Sequence, residues 1–144
     1  MDEFAFREIL SVSVSRPCPF ERSILRGCAA CNQAKRLQIA EREAVMCQMT
    51  DSHSRCQELY VQLRRSFSFA LGVLRDDIPL PHAQEMRVQC GGLKGLHNVL
   101  NGIAEVENVD GLRARALRQR GEIADIPYSD VVHSAASVYK GRHN

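Results

Sequence analysis

The sequence predicts a mainly α fold: a small helical domain whose cysteine-rich N-terminal segment has room for a short β-hairpin. An apolar stripe with helical spacing runs through residues 52–75, and further stretches rich in helix-forming residues follow it. Proline and glycine separate these stretches, as they do between the helices of a compact domain. Residues 9–15 alternate apolar and polar side chains over a length typical of a strand.

The chain of 144 residues is expected to form a single domain, 1–144. A hydrophobic content of 44% suffices for a core, and because aromatic residues make up only 6%, that core must be largely aliphatic. We expect residues 1–50 to form an extended arm and the cysteine-rich segment, and residues 51–144 to form a helical bundle. Within the arm, residues 9–15 are predicted as a short strand or extended segment.

The predicted bundle begins with the clearest helix, residues 52–75. Its apolar side chains recur every three or four positions, namely Cys56, Leu59, Leu63, Phe67, Ala70 and Leu74. Four further helices are predicted, over residues 82–90, 93–101, 109–120 and 128–140. Gly91 and Gly92 are expected to end the first of these, because glycine suits the left-handed conformation after a helix C-terminus.

Cysteines are the most informative residues of the chain, and four of the six lie close together in sequence: Cys28, Cys31, Cys47 and Cys56. Their spacing is C-x2-C-x15-C-x8-C. Thiolates bind zinc and iron–sulfur clusters, so the pattern predicts a metal centre with these four ligands. Cys18, Cys90 and His53 are the residues that could replace one of them.

Whether the four thiols meet depends on the segment between the second and third cysteine. Helix propensity favours one continuous helix, which would hold Cys31 and Cys47 about 24 Å apart along its axis and exclude a shared site. A hairpin turning near Ala40, with Leu37 opposite Glu41, would bring Cys31 and Cys47 together. Its turn lacks glycine, asparagine and proline. A helix broken by one turn is a compromise between the two.

A third arrangement keeps the continuous helix. A helical hairpin made of residues 32–49 and 52–75 would bring Cys47 and Cys56 together at its closed end. Cys18 and Cys90 would then complete the site, and the C-x2-C pair would be free or form a separate site.

An iron–sulfur cluster is the cofactor that we expect, with zinc as the alternative. Cluster ligands tolerate irregular spacing and often come from helix ends and loops, whereas the pattern is not that of a zinc ribbon. Arg26, Lys35 and Arg36 could offset the negative charge of such a cluster. Two other interpretations stay open: the cysteines are small buried hydrophobes, or Cys28 and Cys31 form a redox dithiol, although the βαβ context of a thioredoxin is absent.

These features predict a metal-binding protein that acts in electron transfer or in redox or metal sensing, with a protein partner in a larger assembly. We expect no enzyme activity, because no general base or nucleophile adjoins the cysteines in a recognisable arrangement. The alternative is an adaptor or nucleic-acid-associated module with a structural zinc or no metal. Its phosphate contacts would come from Arg113, Arg115, Arg118 and Arg120, although a net charge of +2 does not by itself favour nucleic acid.

The N-terminus points to the cytoplasm. It begins with acidic residues and lacks the basic start and long apolar run of a secretory signal. No apolar stretch of about 18 residues occurs, so no membrane span is expected. Thiols stay reduced in the cytoplasm, where clustered cysteines favour metal binding over disulfides.

Several strings of residues resemble small uncharacterised proteobacterial proteins. They are Cys18-Pro19-Phe20, Glu41-Arg42-Glu43-Ala44-Val45 with Cys47, Leu80-Pro81-His82, and Gln89-Cys90-Gly91-Gly92-Leu93. The likeness spans most of the chain. It implies a cysteine-rich family without an established activity, so it neither adds nor removes a ligand.

Overall fold

The protein is mainly α-helical with one small antiparallel hairpin, which confirms the predicted fold class. A computed structural model describes residues 3–72, 78–102 and 105–140. In chain order its elements are α1 (Glu3–Ser13), α2 (Glu21–Arg26), β1 (Ala34–Ile39), β2 (Arg42–Cys47), α3 (Thr50–Leu71), α4 (His82–Met86), a π-helical turn (Arg87–Gly91), α5 (Gly92–Val99), α6 (Val109–Arg120), a 3-10 turn (Ile123–Asp125) and α7 (Tyr128–Val138). Across the described ranges, no helix combines the length and apolarity needed to cross a membrane.

The long helix α3 is the centre of the main core. Its predicted apolar stripe is buried at Cys56, Leu59, Leu63 and Phe67. The stripe packs against the π-helical turn and α7. Because these contacts come from a repeat of three and four residues, the sequence located this helix well. The predicted end of the helix, residues 73–75, lies outside the described residues.

The prediction that Gly91 and Gly92 end a helix is wrong, because α4, the π-helical turn and α5 follow one another without a break. Both glycines have right-handed helical φ angles, −65° and −62°. The lack of a side chain serves close packing instead. A Cβ at Gly92 would lie 3.0 Å from the Leu63 side chain, and one at Gly95 would lie 2.4 Å from the Val131 carbonyl oxygen.

Residues 3–13 form the helix α1, so the prediction of a short strand or extended arm over residues 9–15 is wrong. Besides the local alternation of apolar and polar residues, this segment has an apolar side chain at every fourth position. That repeat consists of Phe6, Leu10 and Val14, which pack in a small second core with Ile39, Ala44 and other hairpin residues. Burial against the hairpin explains why the helix prevails over strand propensity.

The intervening segment forms the hairpin rather than a continuous helix. Leu37 pairs with Ala44, not with Glu41 as the hairpin alternative assumed, and Ala34 pairs with Cys47. The register therefore places Cys47, at the end of β2, opposite the start of β1. The two-residue turn begins at Ala40, whose φ of 55° is in the left-handed region that favours glycine. Pairing along six residues of each strand outweighs this unfavourable turn residue.

The close approach of α5 to α7 leads to the first prediction. Gly95→Ala should lower the free energy of unfolding by about 1–3 kcal/mol, because the new methyl group meets backbone of α7 rather than a flexible side chain. Gly111→Ala in α6 is the matched control, since its nearest neighbour is the Asn108 side chain at 3.0 Å. The control should change stability by less than about 1 kcal/mol. Urea unfolding followed by circular dichroism measures both, and equal effects would contradict the packing argument.

Candidate metal centre

Four cysteines from four different parts of the chain line one small cavity: Cys18, Cys31, Cys47 and Cys56. Cys18 lies in the loop before α2, and Cys31 lies in the loop before β1. Cys47 ends β2, and Cys56 is in the second turn of α3. The cavity has a volume of about 20 Å³, which is about the space of one water molecule.

Backbone pairing holds the Cys18 loop beside β2. The Cys18 amide donates to the Val45 carbonyl at 2.9 Å, and the Cys47 amide donates to the Arg16 carbonyl at 2.8 Å. The prolines on either side of Cys18 lack an amide hydrogen, so Cys18 supplies the donor of this short stretch. Two of the four cysteines are thus neighbours through hydrogen bonds that join distant parts of the sequence.

A separate set of hydrogen bonds fixes the segment that carries Cys31. Ala29 forms a parallel bridge with Val106. The Ala30 amide donates to the Val106 carbonyl at 3.1 Å, and the Val109 amide donates to the Ala30 carbonyl at 2.8 Å. The segment before Cys31 is therefore held in an extended conformation against the chain that enters α6.

Cys28 does not reach this cavity, because it forms a disulfide with Cys90 with a Cα–Cα distance of 6.0 Å. Residues three positions apart in an extended segment point to opposite sides, which explains why Cys28 and Cys31 have different partners. A disulfide sulfur offers no thiolate to a metal. Three of the four predicted ligands therefore line the cavity, and Cys18 stands there in place of Cys28.

Burial keeps the thiols of Cys18 and Cys56 protonated. Burial raises the pKa of Cys18 to about 12, and negative charge on Cys31, Cys56 or Cys47 would raise it further. Burial likewise raises the pKa of Cys56 to about 12, although the nearby Arg113 lowers it. A metal ion would have to displace the protons on binding.

Polar residues lie among those that surround the cavity, although the surface that lines it is apolar. Asp110 and Ser52 line it together with the cysteines. Asp110 accepts a hydrogen bond of 2.6 Å from the buried Arg113. Burial raises the pKa of Asp110, but the hydrogen bonds from Arg113 and Ser52 outweigh that effect and hold the pKa below its ordinary value. Asp110, beside the cavity, and the buried Arg113 thus form a charged pair.

Within the described ranges, no three or more His, Cys, Asp or Glu side chains are grouped so that they could hold a metal ion as they stand. A metal at the cavity would therefore require the thiols to lose their protons and turn towards a common point. Rotation about one bond, χ1, moves the sulfur of each cysteine. The predicted metal centre stays a prediction.

The other residues that the sequence singled out lie elsewhere. His53 Nε2 is 2.9 Å from the Pro17 carbonyl oxygen, and His53 does not line the cavity. Arg113 is buried, and the Arg115 guanidinium donates to the Leu100 carbonyl. The proposed phosphate contacts would thus have to come from other arginines, of which Arg118 and Arg120 are exposed.

Two larger cavities adjoin the cysteines. A groove of about 810 Å³ runs along α3 and is lined by Cys18 and Tyr60, among other residues. A second cavity of about 500 Å³ is lined by both Cys28 and Cys31. Cys47 and Cys56 are buried, whereas Cys18 and Cys31 are partly exposed and also line surfaces that another molecule can reach.

The disulfide should contribute strongly to stability, because it closes a loop with a sequence separation of 62. In the chain-entropy description, a loop of this size corresponds to about 4 kcal/mol. We expect Cys28→Ala/Cys90→Ala to lower the free energy of unfolding by an amount of this order, measured by urea unfolding without reductant. As a control, added reductant should destabilise the wild type and leave the variant unchanged. Alkylation of all six cysteines in the denatured, unreduced protein would contradict the disulfide.

The raised thiol pKa values predict a pH dependence. The ordinary thiol pKa is 9.0, and burial raises it to about 12 at Cys18 and Cys56. A raised pKa favours the protonated form in the folded state, so this stabilisation is complete below about pH 9 and is lost as the pH rises towards 12. In metal-free protein, unfolding free energy should fall more steeply above pH 9 for the wild type than for Cys18→Ser/Cys56→Ser. Parallel pH curves would show that the thiols are not buried.

Comparison with protein-family models, with curated proteins and with solved structures finds no match to this chain.

Proposed function

We propose that the chain binds a cysteine-ligated metal centre, preferably an iron–sulfur cluster, through Cys18, Cys31, Cys47 and Cys56. It would act in electron transfer or in redox or metal sensing, together with a protein partner. The observation that supports this most directly is the common cavity lined by four thiols from four different elements. Thiolates are the preferred protein ligands of iron–sulfur clusters and of structural zinc.

Convergence of the free thiols favours a metal centre over the interpretation that they merely fill the core. All four free cysteines of the chain, Cys18, Cys31, Cys47 and Cys56, line this one cavity. Cysteines that served as small hydrophobes would have no reason to gather at one point, because alanine or valine fills such space equally well.

The ligand spacing favours a cluster over zinc. Structural zinc sites usually contain pairs of ligands separated by two to four residues. The one pair of that kind, Cys28 and Cys31, is divided by the disulfide at Cys28. The remaining ligands come from two loops, the end of a strand and a helix, and this irregular origin is typical of cluster sites.

Access to the centre is consistent with electron transfer to a partner. Cys18 lines both the thiol cavity and the groove along α3. The groove also exposes Val61, which is 42% accessible. A partner seated in the groove would approach the centre through the Cys18 loop without opening the thiol cavity to water.

A cytoplasmic location is part of this proposal, although the Cys28–Cys90 disulfide is more typical of oxidising compartments. A reduced pair in cells would leave the thiol cavity unchanged, because neither Cys28 nor Cys90 lines it. Trapping thiols in intact cells with an alkylating reagent, followed by mass spectrometry, would establish the state of the pair and with it the compartment.

Anaerobic purification of the full chain, with iron, sulfide and zinc assays, tests the proposed function. We expect a brown protein that contains iron and sulfide. Cys18→Ala should lose most of the bound metal, because it removes one ligand. Cys28→Ala/Cys90→Ala is the matched control and should keep the metal, since it removes two cysteines that do not line the cavity.

The remaining outcomes separate the alternatives. One zinc per chain without iron would show that the cofactor is zinc rather than a cluster. It would favour the alternative function as an adaptor module. Loss of metal in the control but not in Cys18→Ala would restore the ligand set first predicted from the sequence. Absence of any metal from the anaerobic wild type would overturn the proposal.

A further inference from the structure

Arg113 is the most deeply buried charged side chain near the thiol cavity. Only 5% of its surface is accessible, whereas arginine usually keeps its charged end in water. Its guanidinium donates to Asp110 at 2.6 Å, and the accessible fractions of the two side chains are 6% and 23%. Burying a guanidinium this completely is costly unless negative charge lies close to it.

The hydrogen bonding of Arg113 is incomplete. Its Nε is buried and, among the residues that the structure describes, has no hydrogen-bond partner. A buried donor without a partner costs about 1–3 kcal/mol, so its retention calls for an explanation. Asp110 alone does not provide one, because its bond to Arg113 uses a different nitrogen.

The thiol cavity is the place where an additional negative charge would appear. Asp110 lines the cavity, which puts the partner of Arg113 in its wall. The ion pair of 2.6 Å therefore connects Arg113 to the lining of the cavity, which also includes Cys56. Four thiolates around a divalent metal ion or an ordinary cluster would leave a net negative charge in a site shielded from water.

We propose that Arg113 is the buried counter-charge of the metal centre, balancing the negative charge that the four thiolates bring when the metal is bound. This inference rests on the proposed function. Asp110 holds the guanidinium in place from one side. The Nε–H group remains available as a hydrogen-bond donor when the metal is bound. Arg113 is thus a positioning and tuning residue rather than a ligand.

Zinc affinity of the metal-free full chain, measured anaerobically by chelator competition, is the main test. Arg113→Gln should weaken Zn²⁺ binding about 10–100-fold, the usual effect of losing a residue that supports metal ligands. Arg113→Lys keeps the positive charge but lacks the guanidinium. Its Zn²⁺ affinity should lie between those of the wild type and Arg113→Gln. Arg118→Gln removes an exposed charge from the same helix and should leave the affinity unchanged.

A double variant separates the counter-charge from simple structural support. Arg113→Gln alone leaves Asp110 without its cation, which could disturb the fold. Arg113→Gln/Asp110→Asn removes both charges and restores local neutrality. Asp110→Asn alone leaves the positive charge of Arg113 in place, so a counter-charge should keep Zn²⁺ affinity at or above the wild-type value in this variant and above that of the double variant. A loss as large as that of Arg113→Gln would overturn the inference.

A protein that carries iron and sulfide offers a second measurement. Removing a positive charge near a cluster disfavours addition of an electron, so Arg113→Gln should shift the midpoint potential to more negative values. An unchanged potential together with unchanged Zn²⁺ affinity would overturn the inference and leave the proposed function intact. A wild type that binds neither zinc nor iron would overturn both.

Discussion

Backbone pairing between the Cys18 loop and β2 is the interaction on which the rest of the site depends. The Cys18 amide donates to the Val45 carbonyl oxygen at 2.9 Å, and the Cys47 amide donates to the Arg16 carbonyl oxygen at 2.8 Å. Because these bonds extend the hairpin by a short third segment, they bring Cys18 next to Cys47. The hairpin in turn returns the chain to the segment that carries Cys31, and β2 leads directly into α3 with Cys56. One small sheet therefore brings together cysteines that lie far apart in the sequence.

Local patterns predicted the elements better than their arrangement. The apolar repeat through α3 follows from side-chain periodicity, which acts within one element. The register of the hairpin depends on hydrogen bonds between distant segments, and so does the presence of Cys18 rather than Cys28 at the cavity. Side-chain periodicity does not reveal such bonds. Gly91 illustrates the same limit: its local preference suggested a helix end, but packing against Ala135 and Tyr139 decides its role.

The division of the C-x2-C pair has a simple structural cause. The helix α2 ends at Gly27, whose φ of 87° is left-handed, and the chain then runs extended through Ala29. A metal-binding pair with this spacing needs a turn between its cysteines, so that both sulfurs face the same side. In an extended chain they face opposite sides, and Cys28 meets Cys90 while Cys31 meets the thiol cavity. The same two cysteines thus join separate parts of the protein.

The thiol cavity also lies where the two cores of the protein meet. Cys56 belongs to the main core, against which Cys18 and Cys31 pack. Cys47 ends the hairpin, whose other face forms the second core with α1. A metal that takes ligands from both sides would tie these cores together, so its binding free energy would add to folding stability. The same coupling would make the N-terminal part of the fold responsive to loss of the metal, as a sensing role requires.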